Sequence, residues 1–265
     1  MSVLSLGSQE AWVPHTYPME IIGGLLAGAF IGAVLGFIGA GGAMLSVPIL
    51  LYIFDFTPQA ATTAALAVVL SAAISGLLPK IKSKEVLFKE ALVIWGIGLI
   101  TNLGFSIVAH NLPDSVITTG FSVVLVTAGT MMLIKPVAGT EKKVPLFWLV
   151  VISLVIGSIT GLFGIGGGFL AIPILVLFFK NPQGKAAGTS LAIIALNSIT
   201  AFFGHFQSWP DVTWTVPIAM AISAVVIARL ASIKSGQMDP ALLRKSFGYL
   251  LYSIAIFTLL ETWVI

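Results

Sequence analysis

The chain has 265 residues, 58% of them hydrophobic and 9% charged, with a mean hydropathy of +1.08 and a formal net charge of +3. A soluble domain has roughly a quarter of its residues charged, so soluble enzymes and nucleic-acid-binding folds are excluded, and the basic balance describes loops rather than a groove for DNA. The absence of cysteine removes disulfides, thiolate metal sites and Cys nucleophiles. The composition is that of an all-α polytopic membrane protein whose solvent is the lipid bilayer.

Residues 1–19 contain no Lys or Arg, carry Glu10 and Pro14, and lack the basic start of a cleaved signal peptide, so they read as an extramembrane tail. Crossing a ~30 Å hydrocarbon core takes about 20 helical residues. The next stretch, 20–54, is too long for one span, because its 35 residues would reach about 52 Å at 1.5 Å each. It is interrupted by Gly39-Ala40-Gly41-Gly42, with Pro48 beyond. Simple apolar spans follow at 60–79, 86–109 and 115–134, and a cytoplasmic linker at 135–143. A second overlong stretch, 144–179, is interrupted by Gly164-Ile165-Gly166-Gly167-Gly168, with Pro173 beyond. Spans at 185–205, 213–233 and 242–263 complete the chain. Clustered glycines disfavour a helix interior by close to 1 kcal/mol each relative to Ala, so both clusters predict a loop or an unwound turn.

A shift of 125 residues aligns Gly32, Gly36, Gly39, Gly41, Gly42, Leu45, Pro48, Ile49 and Leu50 with Gly157, Gly161, Gly164, Gly166, Gly167, Leu170, Pro173, Ile174 and Leu175. The chain is therefore read as a duplication, 20–134 and 144–265. Charge sets its topology. If each broken stretch starts and ends on one side of the membrane, Glu20, Asp55, His110, Asp114, His205, Asp211 and Glu261 share that side and all 13 basic residues fall on or near the other. Single crossings would divide the same basic residues seven against six, which the positive-inside rule disfavours. Each half then contains three full spans besides its hairpin, so the second half enters from the opposite face. The expectation is two inverted structural repeats, each a Gly-broken helical hairpin plus three transmembrane helices, with both termini outside. Such repeats with discontinuous helices are the architecture of many secondary transporters.

Each glycine cluster opens a short helix, about 43–54 and 168–179, whose N-terminus lies at depth. A helix N-terminus offers free N–H groups and about half a positive charge, and glycines let a ligand approach the backbone. The expected cradle is the backbone of Gly39, Gly41, Gly42, Ala43 and Met44 facing that of Gly164, Gly166, Gly167, Gly168 and Phe169 near the midplane. Pro48 and Pro173 each remove a backbone donor and shape the kink beside it. Thr63 in one half and Thr189, Ser190 and Asn197 in the other add hydroxyl and amide donors, Asn197 being a mid-membrane amide that is costly to leave unpaired. No charged residue lies near the predicted centre, so a small anion is the expected ligand, no cofactor or metal ion is expected, and no deep carboxylate pair or nucleophile motif supports an enzyme. By contrast, Gly24-Gly28-Gly32-Gly36 is read as a close-packing ridge.

The motifs GFIGAGGAMLSVPIL at 36–50 and GLFGIGGGFLAIPIL at 161–175, with AAGTSL at 186–191, resemble those of the sulfite exporter TauE/SafE family. The first half departs from its partner, with Ala43 opposite Gly168 and Ala64-Ala65 opposite Thr189-Ser190. The resemblance implies a prokaryotic inner-membrane permease for small sulfur-containing anions such as sulfite or sulfonates, in either direction. An alternating-access transporter and a passive anion channel of the same half-helix design both fit, and the oligomeric state, a homo-oligomer included, is open.

Overall fold

The computed structural model describes residues 17–109, 113–134, 145–163, 168–177 and 179–263. Its order is α1 (Tyr17–Ile38), α2 (Gly42–Tyr52), α3 (Pro58–Lys82), α4 (Phe88–Ala109), α5 (Asp114–Ile134), α6 (Leu146–Phe163), α7 (Gly168–Leu177), α8 (Gln183–Gly204), a 3-10 turn (Phe206–Asp211), α9 (Thr215–Ser235) and α10 (Pro240–Trp263). Among the described residues seven helices, α1, α3, α4, α5, α8, α9 and α10, are long and apolar enough to cross a membrane. The six simple spans of the sequence are all present, and each broken stretch is a helix pair, α1–α2 and α6–α7. The helix α1 begins at Tyr17, three residues inside the segment read as a tail; the rest of that tail and the linker at 135–143 lie outside the described residues.

Local chemistry explains the element ends. Thr57 caps α3 by accepting from the Ala60 N–H at 3.4 Å, with Pro58 in the first turn where a missing donor does no harm. At its other end Lys84 turns left-handed (φ 58°) while the Glu85 N–H donates to the Lys80 carbonyl at 2.8 Å and the Lys84 N–H to that of Ile81 at 3.1 Å, the double bond of a Schellman stop. The short helices end alike. Asp55 (φ 54°) and Lys180 (φ 56°) stand 125 residues apart, and the next residues, Phe56 and Asn181, each donate at 3.0 Å to the carbonyls of Leu50 and Leu175.

α2 returns the chain to the end where α1 began, since a Cβ on Gly23 would sit 3.4 Å from the Phe54 ring. At that end Glu20, Asp55, Thr57, Asp211, Thr213 and Thr215 line a cavity of about 340 Å³. At the other end of α3, Lys80, Lys82, Ser83, Glu85, Arg229 and Ser232 line one of about 500 Å³. Glu20, Asp55 and Asp211 thus stand at one end and Lys80, Lys82 and Arg229 at the other, where Glu85 joins them; His110, Lys135, Lys142 and Lys143 lie outside the described residues.

Packing alternates between the halves. α1 lies on α9, and α6 on α4, the same pair after exchange of equivalents. The ridge Gly28-Gly32-Gly36 meets the α9 backbone at Met220, Ala224 and Ala228. A Cβ on Gly32 would stand 2.5 Å from the Ala224 carbonyl oxygen, and one on its repeat counterpart Gly157 would collide with the Gly98 carbonyl. Small residues permit this approach where lipid supplies no hydrophobic drive between helices. α3 and α8 pack antiparallel, with Thr63 beside His205 at one end and Gly76 beside Leu191 towards the other. α5 and α10 pair likewise, through the Ser122–Thr258 hydroxyl contact at 2.8 Å and the Arg244 side chain donating to the Met132 carbonyl at 2.7 Å.

Gly32→Ala is expected to lower the melting temperature of the detergent-solubilised protein through an overpacking cost of about 1–3 kcal/mol. Gly96→Ala is expected not to lower it, because nothing lies within 4 Å of that Cβ position and Ala is the better helix former. Equal melting of the two variants would remove the packing role of the ridge.

Candidate functional site

The first break is built by two glycines with left-handed backbones, Gly39 (φ 83°) and Gly41 (φ 90°), a conformation that side-chain-bearing residues adopt at a cost. The Gly39 N–H closes α1 by donating to Leu35 at 2.8 Å. Gly41 is the N-cap of α2 and supplies no side-chain oxygen, so the leading N–H groups of α2 lack the usual cap. A Cβ on Gly42 would run into the Leu35 side chain, and Ala40 and Met44 are buried. The Ser46 hydroxyl donates to the Gly42 carbonyl at 2.6 Å, and Pro48, inside α2, cannot donate to Met44. The Ala43 backbone is helical; its side chain is outside the described set.

This break packs on the other half of the chain. A Cβ on Gly39 would stand 2.6 Å from Ala187 Cα, so the glycine cluster of the first repeat sits on the AAGTSL segment of the second. Ala40 and Met44 share a buried cluster with Ile172, Phe179 and Ala186. The neighbouring Gly188 lies against Lys80 Cβ, 3.1 Å from its own Cβ position, so the break is level with the basic end of α3 rather than halfway along it.

Of the second cradle, Gly164, Gly166 and Gly167 lie outside the described residues. α7 starts at Gly168, continues through Phe169, and contains Pro173 at the position equivalent to Pro48.

The added donors occupy three levels. Thr189 and Ser190 are fully buried at the basic end. The Thr189 hydroxyl donates to the Lys185 carbonyl at 2.7 Å and accepts from the Leu87 N–H at 3.0 Å, which fastens the α3–α4 loop to α8. Asn197, ten residues beyond Ala187 and so about 15 Å further along α8, is half-buried, and its side chain makes no hydrogen bond to another described residue. Thr63 lies near the acidic end, donating to the Gln59 carbonyl at 2.8 Å with His205 Nδ1 at 3.4 Å. Thr189 and Ser190 therefore join the first break, while Asn197 and Thr63 do not.

Sequence reasoning missed the loop that closes over this end. Lys80, 3% exposed, donates to Glu85 Oε2 at 2.8 Å, and Ser83 donates to the same oxygen at 3.3 Å. Glu85 in turn fills the space above Gly184, its Oε1 only 2.5 Å from that Cβ position, and its carbonyl lies against Gly188. The four-residue spacing of Gly184 and Gly188 was the available signal for a close neighbour there. Asn181 and Gln183, in the turn that enters α8, are also buried.

The model of the sulfite exporter TauE/SafE family matches residues 24–258. A "Probable membrane transporter protein" of Xylella fastidiosa (strain Temecula1) is 26% identical over 248 residues, covering 89% of this chain and 94% of its own length. The "Probable membrane transporter protein YunE" of Bacillus subtilis is 29% identical over 242 residues, covering 81% and 88%. The "Probable membrane transporter protein MJ0441" of Methanocaldococcus jannaschii is 35% identical over 115 residues, 41% of this chain and 43% of its own. No solved structure matches.

Thr189→Val keeps the shape but removes the acceptor of the Leu87 N–H. The expected result is a loss of about 1–3 kcal/mol of stability, read as a lower melting temperature. An unchanged melting temperature would show that the loop does not depend on this bond.

Proposed function

The chain belongs to the sulfite exporter TauE/SafE family and is a multi-pass membrane transporter, and on that premise we propose that it carries small sulfur-containing anions by alternating access across a prokaryotic inner membrane. The observation that carries this reading is the uncapped N-terminus of α2, which follows the left-handed Gly39 and Gly41, in a break whose Gly39 packs on α8 of the other half. Partial positive charge and N–H groups without a side-chain cap suit an oxyanion. The reading extends to the second break by the 125-residue register of the glycines, with Gly164, Gly166 and Gly167 in the matching role.

Two inverted repeats are part of the proposal. The antiparallel run of the equivalent helices α3 and α8 supports it, as does the reciprocal pairing of α1 with α9 and α6 with α4. In such a carrier one half rocks against the other, and the contact of Gly39 with Ala187 lies across that division. The cavity lined by Lys80, Lys82 and Arg229 gives the basic end an anion-attracting mouth. Both termini are proposed to lie outside, on the side of Glu20 and Asp55.

The test is twofold. Sulfite, thiosulfate or methanesulfonate at about 100 times its dissociation constant is expected to stabilise the purified protein by roughly 2.7 kcal/mol. In proteoliposomes the same anion is expected to show saturable flux with counterflow, and Gly39→Ala to abolish flux while Gly96→Ala retains it. No stabilisation by any of the three anions into the millimolar range would overturn the anion reading; non-saturating flux without counterflow would replace the carrier with a channel.

A further inference from the structure

Three buried amide atoms stand together in sequence at the entrance to α8 with no hydrogen-bond partner among the described residues: Asn181 Nδ2, Gln183 Nε2 and Gln183 Oε1. The two residues are only 2% and 5% exposed. Buried polar atoms are ordinarily paired, and leaving one unpaired costs about 1–3 kcal/mol, so three within one turn of chain call for a partner. Gln183 lies one helical turn before Ala187 and so on the face of α8 against which Gly39 packs. Lys180 and Lys185, both half-buried, flank the amides in the segment KNPQGK, and the Glu85 carboxylate that faces Gly184 from the α3–α4 loop is paired with Lys80, so the charge around the amides is positive on balance. The first repeat has Phe56 and Pro58 at the equivalent positions, so the feature occurs once, at the basic end.

The inventory of atoms specifies the ligand more narrowly than charge does. Two amide NH₂ groups donate, but the Gln183 carbonyl can only accept. A fully ionised oxyanion presents lone pairs alone and leaves that carbonyl facing another acceptor. An oxyanion that retains one proton satisfies both kinds of atom. Both ends of the Gln183 amide are unpartnered, so exchanging its N and O leaves this argument intact.

We infer that Asn181 and Gln183 form a neutral amide subsite, one turn of α8 from the Gly39 break, that selects the monoprotonated form of a small oxyanion over the fully ionised form. The inference rests on the anion reading above and deepens it. The helix end and the lysines attract the charge; the Gln183 carbonyl reads the proton.

The experiment is calorimetric titration of the detergent-purified full chain with sodium sulfite, sodium sulfate and sodium methanesulfonate, at one pH below and one above the second ionisation of sulfite. The wild type is expected to bind sulfite about tenfold more tightly at the lower pH, and to bind the two anions that carry no proton weakly at both. Gln183→Met is expected to lose that preference and about tenfold in sulfite affinity at the lower pH, without a fall in its ligand-free melting temperature, because an apolar side chain replaces an unpaired amide. Asn181→Leu is expected to weaken whatever binding each anion shows. Wild-type affinity and pH trend in Gln183→Met, or a lower ligand-free melting temperature with unchanged affinity, would overturn the subsite and leave the anion reading standing. Tighter wild-type binding of sulfite at the higher pH would also overturn it. Failure of the wild type to bind any of the three anions would overturn the parent reading and the subsite with it.

Discussion

Inside a bilayer a backbone N–H or C=O finds no water, so a helix can be broken at depth only where the protein itself encloses the break. The break at Gly39 and Gly41, level with the basic end of α3, is enclosed in that way. The glycines supply left-handed backbone that ends α1 and starts α2, and their lack of side chains lets the turn lie against Ala187. Ala40 and Met44 then join a core made with residues of α7 and α8. Residues of both halves enclose the break, and the two halves are thereby joined where the leading N–H groups of α2 lack a side-chain cap.

The remaining architecture serves the same joining. Helices bathed in lipid gain little from hydrophobic burial against one another, so close backbone approach takes its place, and Gly28, Gly32 and Gly36 bring α1 onto α9 of the other half. Where α3 meets the basic end, a single short loop gathers the polar contacts: the Lys80–Glu85 pair, the Schellman stop and the Leu87–Thr189 bond. That loop covers the first turns of α8, immediately beside the break. A change in its hold on α8 is therefore a change at the mouth of the proposed anion site.

Much of this was legible in residue patterns. Gly and Pro spacing gave the two helix pairs, and the long apolar runs gave the simple spans to within a few residues, as 60–79 against Pro58–Lys82 and 213–233 against Thr215–Ser235. The four-residue glycine ridge announced a close helix contact but not its partner, because α9 lies nearly two hundred residues away and nothing local names it. The level of the break was not legible either, since it is fixed by the contact of Gly39 with Ala187. Thr189 looked like a free hydroxyl donor in the sequence, but its O–H donates to the Lys185 carbonyl and its oxygen accepts from a backbone N–H of another loop. Asn181 and Gln183 passed unremarked because a polar stretch between two spans reads as a solvated turn; only their burial distinguishes them.

The central claim is that equivalent turns of the two halves face opposite sides of the membrane. Thr57 and Pro182 test it directly: they are the N-cap residues of α3 and α8, they are 125 residues apart, and both are exposed. The chain contains no cysteine, so Thr57→Cys and Pro182→Cys each place a single thiol for a membrane-impermeant maleimide applied to intact cells. Labelling of Thr57→Cys from outside, with Pro182→Cys labelled only after permeabilisation, is the result the inverted arrangement predicts. Labelling of both from the same side would contradict it.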